Sequence, residues 1–326
     1  MIISRTPFRV SFIGGGSDLK EYYNINKYGA VISTSIQKYM YIVIHPYFHD
    51  KIRLKYSITE DVNSIDEIKH PIIRESIRKV GIDHGIEIAS FADIPSGTGL
   101  GSSSSFTVGL LNALYAYQGM SRSRDQLAKE ACEIEIDILN EPIGKQDQYA
   151  AAIGGLNQIK FYQDEKVEIF PLDLNQTFVE EFESTIRLYF TGNKRNSSSI
   201  LNEQKQNMGN EKKISMLKEM VSLTKDFKRV LLNEDLNAIG ELLDFNWKLK
   251  KQLASNISNQ EIDLMYQQAI NKGAIGGKLL GAGGAGFLMI MAFDHGPIEN
   301  VLNCKSIGLE IDQSGTKIIN SENRVI

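Results

Sequence analysis

The chain has 326 residues, of which 42% are hydrophobic and 23% charged, and its formal net charge is −4. This composition is ordinary for a globular enzyme, and the slightly acidic balance argues against nucleic acid as a partner. The longest apolar run, residues 287–293, is too short to cross a bilayer, and Arg5 and Arg9 interrupt the first apolar stretch, which argues against a secretory signal. Since the two cysteines, Cys132 and Cys304, lack metal-ligand spacing, we expect a reduced, cytoplasmic protein without a membrane partner.

The first half of the chain is predicted to combine short strands with two helices. Apolar runs bounded by glycine or polar turns predict strands over 2–13, 30–36, 39–45, 86–92 and 156–162. Helices are predicted over 103–117 and from Ser123 to about Leu139. Ser123 and Gln126 resemble a capping box at the start of the second helix.

After residue 175 the pattern changes to longer amphipathic helices. The predicted elements are a strand over 185–190, helices near 211–233, 235–254 and 261–272, a strand over 286–293, a helix near 297–304, and strands over 308–312 and 316–319. This order predicts an α+β fold rather than strict βαβ alternation. We place the domain boundary near residue 175, which gives domains of residues 1–175 and 176–326.

The most informative segment is PSGTGLGSSSS, residues 95–105. Its glycines allow backbone amides to approach a ligand, and the helix that follows adds free N–H donors and a positive dipole end. Such a loop predicts an anion site, most naturally for phosphate, and serine hydroxyls can ligate a magnesium ion that bridges phosphates. The alternative is a flexible Gly/Ser linker. Leu100, an apolar anchor inside the segment, disfavours that alternative.

Two common nucleotide motifs are excluded or disfavoured. No G-x-x-x-x-G-K-[ST] sequence occurs in the chain, which excludes a Walker-type site. Residues 281–286, GAGGAG, match G-x-G-x-x-G, but they lead into an apolar strand instead of opening a helix. A dinucleotide site of the Rossmann type is therefore disfavoured.

Two acidic residues are candidates for chemistry. Glu135 falls on the apolar face of its helix, which is formed by Leu127, Ala131, Ile134 and Ile138. A carboxylate there needs a partner such as a cation, and the alternative is a rim glutamate whose head stays in water. Asp147 lies between two glycine turns in GKQDQYAAAIGG, residues 144–155, and the alternative is an ordinary loop aspartate.

The N-terminal segment RTPFRVSFIGGGSDL, residues 5–19, is a third candidate. Its glycines at the end of a strand let a ligand approach the backbone, Asp18 suits sugar hydroxyls, and Arg9 on the strand could reach phosphate. The alternative is a strand that ends in a tight turn with a capping acid.

Residues 5–19, 95–105 and 278–287 together resemble, in this order, the three motifs of the GHMP kinase family, named for galactokinase, homoserine kinase, mevalonate kinase and phosphomevalonate kinase. The resemblance implies a two-domain GHMP kinase architecture, in which an N-terminal domain like ribosomal protein S5 domain 2 precedes a ferredoxin-like C-terminal domain. The GGGSD sequence of the first motif differs from the galactokinase and mevalonate branches.

The resemblance also implies roles for individual residues. The loop that wraps the ATP phosphates is matched by Gly97, Gly99, Leu100, Gly101, Ser102, Ser103 and Ser104. Ser103 and Glu135 match the ligands of Mg²⁺, and Asp147 matches the catalytic aspartate. Arg9 matches the basic residue that lowers the pKa of the sugar hydroxyl or stabilises the transferring phosphoryl. The substrate would lie against Gly15, Gly16, Ser17, Asp18 and Gly283. Lys145 and Arg195 are candidates to bind a phosphate that the substrate already carries.

Within the family, residues 5–19, 144–161 and 191–201 resemble heptose 7-phosphate kinases. These enzymes phosphorylate the anomeric hydroxyl of D-glycero-D-manno-heptose 7-phosphate for the synthesis of nucleotide-activated heptose. The implied partners are ATP and a sugar phosphate, and the oligomeric state stays open. The alternatives are a fucokinase-like sugar 1-kinase and a non-catalytic sensor that binds ATP and sugar.

Overall fold

The computed structural model describes residues 1–192 and 198–321, and within them the chain forms two β-sheets and a set of helices. The strands are β1 (Ile2–Ile13), β2 (Tyr28–Pro46), β3 (Ile52–Lys55), β4 (Thr59–Val62), β5 (Ile86–Ala92), β6 (Leu156–Tyr162), β7 (Val167–Pro171), β8 (Ile186–Phe190), β9 (Gly276–Leu279), β10 (Phe287–Met291), β11 (Ser306–Gly308) and β12 (Lys317–Ser321). The α-helices are α1 (Lys20–Asn26), α2 (Pro71–Val80), α3 (Ser102–Tyr117), α4 (Arg124–Cys132), α5 (Gln146–Ile153), α6 (Gln176–Ser184), α7 (Ser198–Gln206), α8 (Glu211–Leu232), α9 (Leu236–Lys250), α10 (Gln260–Asn271) and α11 (Gly296–Leu302). This mixture confirms the predicted α+β class.

The first sheet has the strand order β12-β1-β2-β5-β3-β4, and β6 and β7 continue it from the first half of β2. Two separate strands were predicted over 30–36 and 39–45, but β2 is a single strand of 19 residues. Its pairing with β1 skips Gln37 and Lys38, which form a bulge. A bulge accommodates extra residues without ending the strand. Gln37 and Lys38 therefore interrupt the apolar pattern of the sequence, but the strand continues through them.

The second sheet is antiparallel, in the order β11-β8-β10-β9. The strand predicted over 308–312 is shifted to β11, and Ile311 makes only an isolated bridge to Ile36. The strand predicted over 316–319 is present as β12, but it pairs with β1 of the first sheet. The domain boundary near residue 175 falls between β7 and α6 and stays a prediction. The first sheet nevertheless takes seven strands, β1 to β7, from before that boundary and one, β12, from after it.

Hydrophobic packing joins the two sheets. Helix α3 lies against β1 and β2, and helix α8 packs on the same two strands and on α9, which covers β9. Phe12 of β1 contacts Phe182 of α6 and Phe227 of α8, with ring centroids 5.6 Å and 5.8 Å apart. These aromatic contacts fix the second half of the chain against the strand that carries Arg9. No helix in the described ranges has the length and apolar character needed to span a membrane.

Candidate active site

A cavity of about 540 Å³ lies where the three glycine-rich segments meet. Its described lining includes residues of the first motif (Arg9, Gly15, Gly16, Asp18), of the serine loop (Gly97, Gly99, Gly101, Ser102, Ser103, Ser104), of the α5 region (Gly144, Gln146, Asp147) and of the third motif (Lys278, Leu280, Gly281, Gly283). The volume is that of a small-molecule site. The fold thus brings together three segments that are far apart in sequence.

The serine loop adopts a backbone that only glycine tolerates well. Gly97, Gly99 and Gly101 have φ values of 77°, 82° and 72°, and Gly101 is the N-cap of α3. A Cβ on Gly99 would lie 2.6 Å from the Leu280 carbonyl oxygen, so a side chain would push the third motif away. The loop therefore presents backbone amides and the N-terminus of α3 to the cavity, which is the arrangement expected for binding phosphate.

Arg9 and Asp147 form a forked ion pair on the cavity wall. The Arg9 guanidinium donates from Nε to Asp147 Oδ1 at 2.7 Å and from Nη2 to Oδ2 at 2.6 Å. Its third nitrogen, Nη1, donates to the Gly99 carbonyl at 2.6 Å. Asp147 lies in the first turn of α5, not in a loop as the alternative from the sequence had it, and its side chain is 21% exposed. One arginine thus fixes a partly exposed carboxylate beside the serine loop.

Glu135 is fully buried, in contrast to the rim position considered from the sequence. It accepts hydrogen bonds from the Ser103 hydroxyl at 2.7 Å and from the Gln148 side-chain amide at 2.8 Å. Burial raises the pKa of Glu135 to about 7, although both hydrogen bonds oppose the rise. The residue belongs to a π-helical turn, residues 133–138, which follows α4. Because a π turn shifts the helical register, Ile138 is exposed although the pattern put it on the apolar face.

Asp18 is also buried beside the cavity. It accepts from the Gly16 N–H at 2.9 Å and more weakly from the Gln146 N–H at 3.4 Å. Burial raises the pKa of Asp18, and the neighbouring Asp147 carboxylate raises it further. Asp18 and Asp147 therefore lie close together beside the cavity, and the backbone N–H groups of Gly16 and Gln146 point at Asp18.

Several residues proposed from the sequence do not reach the cavity with their side chains. The Leu100 side chain is buried in the core, although its carbonyl accepts from the Arg9 N–H at 3.0 Å. Ser17 is buried and bonds the backbone of Gly14 and Ala30, so it holds the turn.

The two candidates for a second phosphate have different outcomes. Lys145 is outside the lining of the cavity and forms an ion pair with Glu165, which also binds Lys20. Arg195 lies outside the described residues.

Two lysines that the sequence analysis did not assign do line the cavity, namely Lys250 and Lys278. Lys278 was part of the quoted third motif but received no role. Lys250 continues the apolar stripe of α9 that contains Leu243 and Trp247, so it lies on the buried face. A helical projection of residues 236–250 would have placed Lys250 on the apolar face of α9, so the sequence did contain a signal for its burial.

The site suits Mg²⁺, which the family resemblance implies. Magnesium prefers oxygen ligands and is usually held by one or two carboxylates together with substrate phosphates. Ser103 and Glu135 supply a hydroxyl and a carboxylate at the edge of the phosphate loop. The described part of the chain holds no cluster of three or more acidic, histidine or cysteine side chains that could bind a metal alone. The donor set therefore fits a magnesium ion that arrives with a nucleotide.

Two models of one protein family match the chain. The model of the GHMP kinases N terminal domain matches residues 68–155, and the model of the GHMP kinases C terminal domain matches residues 224–304. The chain is 30% identical over 303 residues to the D-glycero-alpha-D-manno-heptose 7-phosphate kinase of Campylobacter jejuni. The match covers 88% of this chain and 88% of that protein. It is 26% identical to the bifunctional fucokinase/GDP-fucose pyrophosphorylase of Arabidopsis thaliana, over 88% of this chain and 29% of that protein.

A similar fold is found in a crystal structure described as a D-glycero-D-manno-heptose 1-phosphate kinase from Bacteroides thetaiotaomicron. The two chains superpose with a TM-score of 0.81 and 25% sequence identity, over 99% of this chain and 100% of that one. The resemblance therefore extends over the full described architecture.

Proposed function

Because the chain belongs to the GHMP kinase family, and is therefore an ATP-dependent small-molecule kinase, we propose that it transfers the γ-phosphoryl of ATP to the anomeric (C1) hydroxyl of D-glycero-D-manno-heptose 7-phosphate. The observation that carries the proposal is the Arg9–Asp147 pair, which faces the same cavity as the phosphate loop. The names of the Campylobacter and Bacteroides proteins support a phosphorylated heptose as the acceptor. We place the reaction in the cytoplasm, where ATP is available.

In this mechanism Asp147 orients the sugar hydroxyl and accepts its proton while the hydroxyl oxygen attacks the γ-phosphorus. The bond between the γ-phosphorus and the leaving oxygen of ADP breaks as the new bond forms. Arg9 holds both oxygens of Asp147 in place and lies where its charge can stabilise the transferring phosphoryl. The amides of the serine loop bind the phosphates, and Asp18 binds a sugar hydroxyl.

Ser103 and Glu135 would hold Mg²⁺ together with the ATP phosphates. Bound there, the ion would neutralise phosphate charge and help to align the triphosphate.

The acceptor and its reacting position need a direct test. The Campylobacter relative is named for heptose 7-phosphate and the Bacteroides structure for heptose 1-phosphate, so the two names differ in the phosphate that the substrate carries. A fucokinase-like sugar 1-kinase is the second candidate, because the Arabidopsis relative is a fucokinase in part of its length. A sensor would bind the same ligands and release no ADP.

We would measure ADP release with heptose 7-phosphate, heptose 1-phosphate, unphosphorylated heptose, fucose and mannose. The proposal expects the highest kcat/KM with heptose 7-phosphate. It also expects a product whose new phosphorus couples to the anomeric proton in the NMR spectrum. A preference for fucose would favour the second candidate. Binding of ATP and sugar without ADP formation, whichever of these sugars is present, would favour the sensor.

A Glu135→Gln enzyme is expected to need about tenfold more Mg²⁺ for half-maximal rate, because a neutral amide is a poorer ligand of a hard cation than a carboxylate. The measurement is initial rate against free Mg²⁺ at saturating ATP, with the melting temperature as a check on folding. Glu133→Gln is the matched control, since Glu133 lies on the same turn but pairs with Lys79 at the surface. Unchanged magnesium dependence in the Glu135 variant would remove this residue from the metal site.

A Gly144→Ala enzyme is expected to bind the sugar at least about tenfold more weakly, as measured by its KM. A Cβ on Gly144 would lie 2.1 Å from Asp18 Oδ2, so the carboxylate must move out of its position. Losing one charge-assisted hydrogen bond costs about 1.5–3 kcal/mol. Gly308→Ala is the control, because no atom lies within 4 Å of a Cβ built there. Equal sugar KM values in wild type and the Gly144 variant would show that Asp18 does not bind the acceptor.

A further inference from the structure

Three basic side chains line the cavity: Arg9, Lys250 and Lys278. Lys250 ends helix α9, is 5% exposed, and donates from Nζ to the carbonyls of Gly281 at 2.5 Å and Leu279 at 3.3 Å. Lys278 is 1% exposed and donates from Nζ to the Phe12 carbonyl at 2.9 Å. Their hydrogen bonds to backbone carbonyls hold the ammonium groups in place without neutralising them.

The charge around these lysines is not balanced. Among the described residues Arg9 is paired with Asp147, whereas neither Lys250 nor Lys278 has a carboxylate within ion-pair distance. Arg9 repels the Lys250 ammonium, and both Lys250 and Arg9 repel that of Lys278. Asp18 and Asp147 attract the Lys250 ammonium, but this attraction offsets only part of the effect of burial and of Arg9. A buried cation without a matching anion is costly, and an anionic ligand removes that cost.

The position of Lys250 indicates where such an anion would lie. The Gly281 carbonyl to which it donates belongs to the segment that packs on Gly99, and Arg9 donates to the Gly99 carbonyl from the other side. Lys250 and Arg9 are therefore held at the junction between the serine loop and the third motif. That junction is also where Asp147 faces the cavity.

We propose that Lys250 is a further catalytic residue, whose ammonium binds phosphate oxygens of a reactant in the cavity. The phosphate comes either from ATP, as the group in transfer, or from the sugar phosphate, and both present the same oxyanion chemistry. The inference deepens the proposed function and rests on it for the identity of the sugar, but not for the binding of a nucleotide phosphate. Unlike Lys145, the candidate from the sequence for the sugar's own phosphate, Lys250 lines the cavity.

A bound phosphate would also change the protonation of Lys250. Burial, and then the Arg9 charge, lower the pKa of Lys250 to about 7, whereas a neighbouring phosphate raises it. At pH 8 the free side chain is mostly neutral and the ligand-bound one mostly charged, so binding takes up a proton. At pH 6 both states are charged and no uptake arises from this group. Arg9, Asp18, Asp147 and Lys278 face the same space, and the Lys250 charge in turn lowers the pKa of Lys278.

The test is calorimetric titration at pH 8 and pH 6 in buffers of different ionisation enthalpy. The probes are inorganic phosphate, the Mg²⁺ complex of a non-hydrolysable ATP analogue, and heptose 7-phosphate. The proteins are the wild type, Lys250→Met, Lys250→Arg and the control Lys248→Met. Lys248 lies on the same helix but is 64% exposed and pairs with Asp244.

Lys250→Met is expected to weaken at least one probe by about tenfold or more, and Lys250→Arg to retain binding without the extra proton uptake at pH 8. The probe that weakens identifies which phosphate Lys250 contacts. Lys248→Met should behave as wild type. If the Met variant does not fold, the difference in proton uptake between wild type and Lys250→Arg decides.

Equal affinities in wild type and Lys250→Met, or the same proton uptake in wild type and Lys250→Arg, would overturn the proposal. If the wild type binds the nucleotide analogue but not heptose 7-phosphate, the choice of sugar fails. The nucleotide and phosphate arms then still test Lys250.

Discussion

An Arg9→Met enzyme is expected to lose about a thousandfold in kcat, because an arginine that stabilises a transferring phosphoryl contributes on that order. In this chain the loss has two further causes. The guanidinium fixes both oxygens of Asp147, and it also ties the carbonyl of Gly99 in the phosphate loop. The measurement is kcat at saturating ATP and sugar phosphate, corrected for the folded fraction, since removing one member of a mostly buried ion pair costs about 3 kcal/mol of stability.

Two variants give that experiment its controls. Arg9→Lys keeps the charge but has no fork, so it should recover only part of the rate. Arg5→Met removes an arginine from the same strand, where Arg5 stacks on Tyr39 away from the cavity, and should leave kcat within about twofold. If Arg9→Lys has wild-type kcat, the forked contact with Asp147 does not matter for the rate.

An Asp147→Asn enzyme is expected to turn over at least about 100-fold more slowly, since general-base catalysis contributes about 10²–10⁴-fold. The amide keeps the size of the side chain and can still accept one hydrogen bond from Arg9, but it cannot take the proton of the sugar hydroxyl. The KM for ATP should change little, because in the proposed mechanism the nucleotide phosphates bind to the serine loop and not to this carboxylate. Single-turnover kinetics measure the chemical step directly.

Asp173→Asn, a change at an exposed aspartate on the loop after β7, is the matched control for charge and chemistry. It should have wild-type kinetics. Near-normal turnover in the Asp147 variant would mean that the sugar hydroxyl loses its proton elsewhere, and Asp147 would then be a residue that positions Arg9.

The fold was predictable where local sequence decides the structure. Strands β1, β5 and β6 and helices α3, α8 and α10 have strong apolar patterns, and their bounds agree with the prediction within one or two residues. The errors arise where tertiary pairing decides. The continuity of β2 depends on β1, β5 and β6 pairing along its length, and the place of β12 depends on the free edge of β1. Neither partner is visible from the local pattern.

The candidate site was predictable as far as its motifs are local. Glycines at 97, 99 and 101 indicated an anion loop, and Ser103 and Glu135 do lie together. Their roles stay predictions. The pairing of Lys145 could not be predicted, because its partner, Glu165, lies in a turn 20 residues further on, and its role in binding a phosphate stays a prediction. Which residue pairs with a charged side chain depends on the tertiary structure, and so does the burial of Lys250.

The pairing of β1 with β12 has a consequence for synthesis of the protein. Residues 2–5 leave the ribosome early, whereas their partners at 317–321 are made last among the described residues. At about 5–20 residues per second, one edge of the first sheet waits on the order of 15 s to a minute for its strand. During that time β1 offers unpaired N–H and C=O groups to other nascent chains. The time taken to reach β12 therefore sets how long this edge lacks its partner strand, and slowing the ribosome between α8 and β10 should increase aggregation.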